Sequence, residues 1–294
     1  MNRTILAIGV LRGCAALPLP LLHGLAVLLG WLLWLLPNSQ RRFAAINIQR
    51  CLPEYTPAQH RRLLRRSLVE SAKTLLELGP LWLWPADRAL ATVKAVQGED
   101  QWQAALAEGR GAIAITPHLG AWEMAGLYLS SRCPLTTLYR PSRLGGQVDT
   151  LIREARARCG ATLVATDQRG VRQLVQALRQ GQAVGILPDQ DPGDEGGLYA
   201  PFFGHPANTM VLVSRLALRN DIPVLLLYAE RLAWGQGYCL HFQRLSSTLS
   251  TPPLESSVQA LNQAIEQAIR RRPEHYLWSY KRFKRQPPGW PKVY

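Results

Sequence analysis

Between Gly13 and Leu36 the sequence reads GCAALPLPLLHGLAVLLGWLLWLL, without one formally charged residue. An α-helix needs about 20 apolar residues to cross the hydrocarbon core of a bilayer, so this run predicts a segment that enters a membrane. Trp31 and Trp34 suit the headgroup boundary, and Arg41 and Arg42 follow as a basic flank. Pro18 and Pro20 interrupt any helix begun upstream and leave Leu21 to Leu36 as a dense but short stretch, so a tilted, re-entrant or interfacial helix stays open. A secretory signal peptide is the rival, with Arg3 and Arg12 as its basic region, but no small-x-small cleavage site follows. The expectation is a retained membrane helix within residues 1–40, followed by one folded domain over 41–294.

The remainder is not disordered: 47% of all residues are apolar and 18% charged, which requires a packed core. Thirty-four Lys and Arg against 20 Asp and Glu give a formal charge of +14 and predict attraction to a polyanion, either nucleic acid or an anionic lipid surface. The segment Tyr280-Lys281-Arg282-Phe283-Lys284-Arg285 interleaves bases with aromatics and suits either partner. No RNA-recognition signature accompanies it, so with an apolar N-terminus on the same chain a lipid surface is the more economical expectation, with no nucleic acid. Cys14, Cys51, Cys133, Cys159 and Cys239 are scattered without Cys-x-x-Cys spacing and indicate neither a disulfide framework nor a zinc site.

Thr56-Pro57-Ala58-Gln59 forms a capping box that opens an amphipathic helix, with Leu64, Leu68, Leu75 and Leu76 at helical spacing and Gly79-Pro80 as the expected stop. Arg61, Arg62, Arg65 and Arg66 crowd its first turns, as a solvated face or one turned to anionic lipid. Beyond about residue 95, short apolar runs alternate with helical segments, the pattern of an α/β fold whose sheet is flanked by crossover helices. Strands are expected at 111–116, 135–139, 162–165, 183–187, 222–228 and 238–242, and helices at 147–158, 170–179, 210–219 and 254–271.

The first of these strands runs into Thr116-Pro117-His118-Leu119-Gly120-Ala121-Trp122-Glu123, so a histidine stands at the carboxyl end of a strand just before a helix, where open α/β sheets place ligands. On an unbroken helix His118 and Glu123 would lie about 140° apart. They meet only if His118 is in the turn and Glu123 on the first helical turn, where the helix N-terminus favours a carboxylate. In that geometry Glu123 accepts a hydrogen bond from one ring nitrogen, and the other nitrogen is free to take a proton from a hydroxyl.

His-Leu-Gly-Ala-Trp-Glu resembles the His-x4-Asp/Glu signature of lipid acyltransferases, in the form found in the late acyltransferases of lipid A biosynthesis. Further matches follow in order: Tyr139-Arg140-Pro141, Leu187-Pro188-Asp189-Gln190-Asp191-Pro192-Gly193, Pro201-Phe202-Phe203-Gly204 and Ala207-Asn208-Thr209. Upstream, Asn47 to Glu54 looks like the family's Asn-to-Pro-Glu segment. The likeness spans roughly residues 20 to 285. It implies a glycerolipid acyltransferase-like fold with a mixed sheet, and transfer of an acyl chain from a thioester, expected on acyl carrier protein, to a hydroxyl of an anionic glycolipid, with no metal or organic cofactor. His118 would be the general base and Glu123 its orienting group.

Arg140, Arg156 and Arg158 come after that segment and suit phosphates of acceptor or carrier, since guanidinium matches phosphate bidentately; the resemblance singles out Arg158. Asp189 and Asp191 do not fit a calcium loop, because Gly193 and Asp194 stand where such a loop needs a ligand and a glycine. They are expected in a loop that lines the pocket and orders the acceptor or an arginine, with Phe202 and Phe203 in the wall for the acyl chain. The expected location is the bacterial inner membrane with the catalytic domain on its cytoplasmic side. The alternatives are an acyltransferase for another glycolipid or a lysophospholipid, and a catalytically silent membrane scaffold.

Overall fold

The computed structural model describes residues 3–142, 146–250 and 252–294. The apolar run is not one helix but two, α1 (Arg3–Ala15) and α2 (Leu19–Leu35), followed by α3 (Ser39–Cys51) at 81° to α2. Proline sets both breaks: Pro18 flanks the start of α2 in extended backbone, and Pro37 follows its end. Among the described residues no single helix is long and apolar enough to cross a membrane, although α2 and α3 together pass that test as a bent pair. The expected N-terminal membrane helix is thus not shown as a single span, and its residues are divided between the shorter helices α1 and α2.

Both lie along α4 (Pro57–Leu83), which opens with the expected capping box: the Gln59 N–H donates to Thr56 Oγ1 at 3.3 Å and the Thr56 N–H to Gln59 Oε1 at 2.7 Å. The expected stop at Gly79-Pro80 does not occur. Pro80 falls in the last turn, where its missing N–H removes a single hydrogen bond, and its carbonyl still accepts from the Trp84 N–H at 3.0 Å. Gly30 lets α2 sit directly on α4, since a Cβ there would lie 2.5 Å from the Cα of Val69.

A buried ionic cluster fixes that contact. His23 of α2 and Glu77 of α4 are hydrogen-bonded at 2.7 Å, and Glu77 accepts from Arg231 Nε at 2.9 and 3.0 Å. Arg231 also donates to Glu70 at 3.3 Å and to Thr74 Oγ1 at 2.7 Å. Burial pushes the Glu77 carboxyl up, but the Arg231 charge and the His23 bond outweigh it and hold it at about 2 rather than 4.5.

The chain continues as α5 (Ala86–Leu90), β1 (Val93–Gln97), α6 (Glu99–Ala107), β2 (Ala112–Ile115), α7 (Trp122–Arg132), β3 (Leu135–Tyr139), α8 (Gly146–Ala157), β4 (Thr162–Ala165), α9 (Gln168–Arg179), β5 (Ala183–Ile186), β6 (Gly197–Phe202), β7 (His205–Met210), α10 (Leu212–Asn220), β8 (Val224–Arg231), β9 (Tyr238–Arg244) and α11 (Leu254–Arg271). Seven strands form one mixed sheet in the order β1-β9-β8-β2-β5-β3-β4. The neighbours from β8 to β4 pair in parallel, β9 runs antiparallel to β8, and β1 is parallel to β9. The α/β fold with a mixed sheet flanked by helices is thus observed.

Alternation along the central strands feeds two cores. Ile113, Ile115, Val184 and Ile186 face α9, α10 and α11, whereas Ala112, Ala114 and Ala183 face α6 and α7. Every residue of β2 and β5 is buried, as expected of parallel strands covered on both faces. Three strands escape sequence inspection. β1 is a short edge strand, and β6 and β7 form a hairpin whose turn, Phe203-Gly204, takes positive φ at both residues with Phe in place of the usual Asn or Asp.

Glu77→Leu leaves Arg231 buried without its main counter-charge and should lower stability by about 3–5 kcal/mol, read as a fall in unfolding midpoint in detergent. An unchanged midpoint would contradict the pairing. In the unaltered chain the Glu77 contribution is fully present above about pH 4.5 and is lost as pH falls towards about 2.

Candidate active site

The site is set by strand register. β2 and β5 pair in parallel with Ile115 opposite Ile186, and the Thr116 N–H donates to the Ile186 carbonyl at 3.0 Å. His118 lies three residues beyond one strand and Asp189 three beyond the other, so the same 71-residue offset brings them together. Asp189 is buried and binds His118 twice: its Oδ2 accepts from the His118 backbone N–H at 3.0 Å, and its Oδ1 accepts from ring Nδ1 at 2.9 Å. Burial pushes the Asp189 carboxyl up, yet the His118 charge and the two hydrogen bonds hold it below the usual value. With Nδ1–H directed at a carboxylate, the neutral ring carries its lone pair on Nε2. Gln190 Nε2 donates to that atom at 3.2 Å, and the Trp122 ring meets the imidazole edge-on at 4.9 Å.

The turn that carries His118 is clamped on both sides. The Leu277 N–H donates to the His118 carbonyl at 3.1 Å, the Gly120 N–H to the His275 carbonyl at 3.0 Å, and the Ala121 N–H to the Ala229 carbonyl of β8 at 2.8 Å. Gly120 has φ of +65°, and a Cβ there would lie 2.1 Å from the Ala229 oxygen, so only glycine closes this turn.

His118 stands in the turn and Glu123 on the first turn of α7, as expected, but the expected hydrogen bond between them is not made. The carboxylate on His118 is Asp189. Glu123 turns instead to Arg156 of α8, which donates to it through Nε at 3.0 Å and through Nη2, and to the Trp82 indole N–H at 3.1 Å. Burial pushes Glu123 up, but the Arg156 charge and these bonds leave its carboxyl below the usual value. The bidentate pairing explains the geometry, because a guanidinium satisfies both carboxylate oxygens and a single imidazole N–H satisfies one. Glu123 thereby joins α4, α7 and α8 beside the site.

A cavity of about 300 Å³ opens at His118. Glu123, Arg140, Arg156, Gln190 and Asp191 lie around its polar part, and Leu127, Leu129, Leu135 and Leu138 give it an apolar wall with Gly126 and Gly185 beside them. The expected arginines fare differently. Arg140 is exposed on the lining, Arg156 lines it while held by Glu123, and Arg158 turns back to donate to the carbonyls of Trp82 at 3.2 Å and Ala155 at 3.3 Å.

Asp191 orders its loop: its Oδ1 accepts from the Gly193 N–H at 2.9 Å, from Asn208 at 3.2 Å and from Arg285 at 2.9 Å. Phe202 and Phe203 are corrected from acyl wall to core, where they pack with Tyr276, Trp278 and Phe283. The basic tail is likewise folded in, with Arg282 buried and donating to the Asn208 carbonyl and to Thr209 Oγ1 at 2.7 Å.

Sequence inspection placed Asp189 in the loop but gave the orienting role to Glu123, and it passed over Gln190 and Trp82. The signal for Asp189 was present: two apolar strands ending in Thr116-Pro117-His118 and Leu187-Pro188-Asp189 are neighbours only once the sheet order is known.

The chain is similar over nearly its whole length to known proteins. The chain is 28% identical to the lipid A biosynthesis palmitoleoyltransferase of Escherichia coli (strain K12), over 99% of this chain and 94% of that protein. It is 27% identical to the lauroyltransferase of the same organism over 99% and 94%, and 24% identical to the myristoyltransferase over 97% and 87%. A family model described as bacterial lipid A biosynthesis acyltransferase matches residues 2–285, so the chain belongs to that family and is an acyltransferase.

Proposed function

We propose that the protein moves a fatty acyl chain from a thioester on acyl carrier protein to a hydroxyl of a lipid A precursor, at the cytoplasmic face of the bacterial inner membrane. His118 is the general base and Asp189 the group that orients it. The observation that carries this reading is the pair of hydrogen bonds that Asp189 accepts from the His118 backbone and ring, which leaves Nε2 as the proton acceptor at an apolar cavity. The matches to named lipid A acyltransferases supply the substrate class.

In the reaction, the acceptor hydroxyl replaces Gln190 at Nε2 and passes its proton to that nitrogen while its oxygen attacks the thioester carbonyl. Asp189 stabilises the imidazolium so formed. The displaced Gln190 amide is then a donor for the tetrahedral oxyanion. Collapse breaks the carbon–sulfur bond, the thiolate takes the proton from Nε2, and ester and free carrier thiol leave. Neither serine nor cysteine stands beside His118 in its turn, so direct transfer needs no acyl-enzyme. The acyl chain occupies the leucine-walled cavity. Arg140, exposed at its lining, suits a phosphate of acceptor or carrier. Glu123 acts at one remove, by fixing Arg156 and the cavity wall.

His118→Ala should lose acyl transfer by about 10²–10⁴-fold or more, and Asp189→Asn by a comparable factor, with thermal stability in detergent close to wild type for His118→Ala. Transfer within about threefold of wild type in His118→Ala would refute the assignment. Gly126 has open space where a Cβ would stand. Gly126→Leu should therefore turn the enzyme against the longer of two acyl donors by about tenfold or more in kcat/KM, and an unchanged preference would remove the cavity as the acyl site.

A further inference from the structure

The exposed large apolar side chains are not spread over the molecule. Among the described residues, all but Leu75, Tyr199, Trp234 and Trp290 lie between Ile5 and Leu36. On α2 they recur as Leu21, Leu25, Leu28, Leu32 and Leu35, at helical spacing that puts them on one face. The opposite face carries Leu19, Leu22, His23, Ala26 and Gly30, all buried.

That buried face meets the folded body along the whole length of the helix. A Cβ at Gly235, in the loop between β8 and β9, would touch Pro20 at 2.6 Å; His23 is bonded to Glu77; and Gly30 lies on the backbone of Val69. A helix that crossed the bilayer in this arrangement would drag α4 with it, including Arg61, Arg62, Arg65 and Arg66. Arg65 already stands over the Trp31 ring at 4.8 Å, beside the leucine face. Seventeen residues also span only about 25 Å, short of the roughly 30 Å hydrocarbon core.

We infer that α2 lies in the plane of the membrane, with its leucine face in one leaflet of an anionic bilayer, and that the chain does not cross it. The occupant of this face is lipid rather than protein because of its rim. Arg41, which donates to the Leu35 carbonyl at 3.4 Å, and Arg65, over Trp31, stand near the carboxyl end of α2, with Arg61 exposed one turn before Arg65 on α4, as partners for headgroup phosphates, and Trp234, 86% exposed in the loop beside Pro20, stands at the other end as an interfacial aromatic. The net charge of +14 has the matching sign. α1 extends the surface towards the reaction cavity: Ile5, Leu6 and Val10 are exposed, while Ala7 and Ile8 join the cluster of Tyr139, Val148 and Ile152 against which the cavity-lining Trp82 also packs. A lipid acceptor thus reaches His118 from within the leaflet. The attachment is independent of which acyl group is transferred.

The test uses the full chain produced in bacterial cells, with one added cysteine at Ala16→Cys or Gln40→Cys, exposed positions before and after α2. A membrane-impermeant maleimide is applied to spheroplasts and to inverted inner-membrane vesicles, with the parent chain as background. In-plane attachment predicts that both positions label in the same preparation and are protected in the other; labelling in opposite preparations overturns it. Leu25→Glu/Leu28→Glu/Leu32→Glu should cut the membrane-bound share at least tenfold while activity on detergent-dispersed substrate stays within twofold, and full retention on the membrane overturns the leucine face as the contact. Arg61→Glu/Arg65→Glu should weaken flotation with phosphatidylglycerol vesicles at least fivefold and leave phosphatidylcholine vesicles unaffected; equal loss on both overturns the headgroup contact.

Discussion

The parallel pairing of β2 with β5 is the constraint on which the site depends. In a parallel pair, equal numbers of residues beyond paired positions end at the same edge, so Ile115 opposite Ile186 brings His118 and Asp189 together without further adjustment. A one-residue slip of either strand would turn that strand's side chains to the opposite face as well as separating the pair, which ties the placement of His118 to the packing of the two cores. The turn then needs little else. Gly120 gives the positive φ that brings the chain back under β8, and three backbone hydrogen bonds from neighbouring segments hold it there.

The second organising feature is a buried charge cluster between α2, α4 and β8. Two glutamates seven residues apart on α4 face one arginine of β8 and one histidine of α2. Such a cluster contributes little net stability compared with well-packed apolar residues, but any member left alone is costly, so it specifies how the N-terminal helices dock. Arg231 lies two residues beyond Ala229, whose carbonyl accepts from the turn that carries His118. One short stretch of β8 therefore touches both the docking of α2 and the placement of His118.

Much of the fold was legible because its signals are local. The capping box at Thr56, the buried runs of β2, β3 and β5, and the long amphipathic α11 each depend on residues close in sequence. The hairpin of β6 and β7 was not, because Phe203 takes a left-handed conformation that its side chain disfavours and only the surrounding aromatic core enforces. Nor was the partner of His118. Glu123 is near in sequence and Asp189 far, and spacing arguments favour the near one; the choice between them is made by strand order and by Arg156, which occupies Glu123 with a bidentate pair. The same holds for the tail, whose basic and aromatic alternation reads as a surface motif yet buries Arg282 and Phe283.

The proposed mechanism rests on which carboxylate sets the protonation pattern of the His118 ring. The most direct measurement is ¹⁵N NMR of the imidazole in histidine-labelled protein, compared with Asp189→Asn and Glu123→Gln at a pH where the ring is neutral. The account predicts the Nδ1–H tautomer in the unaltered protein and in Glu123→Gln, and its loss in Asp189→Asn. Retention in Asp189→Asn together with loss in Glu123→Gln would contradict it.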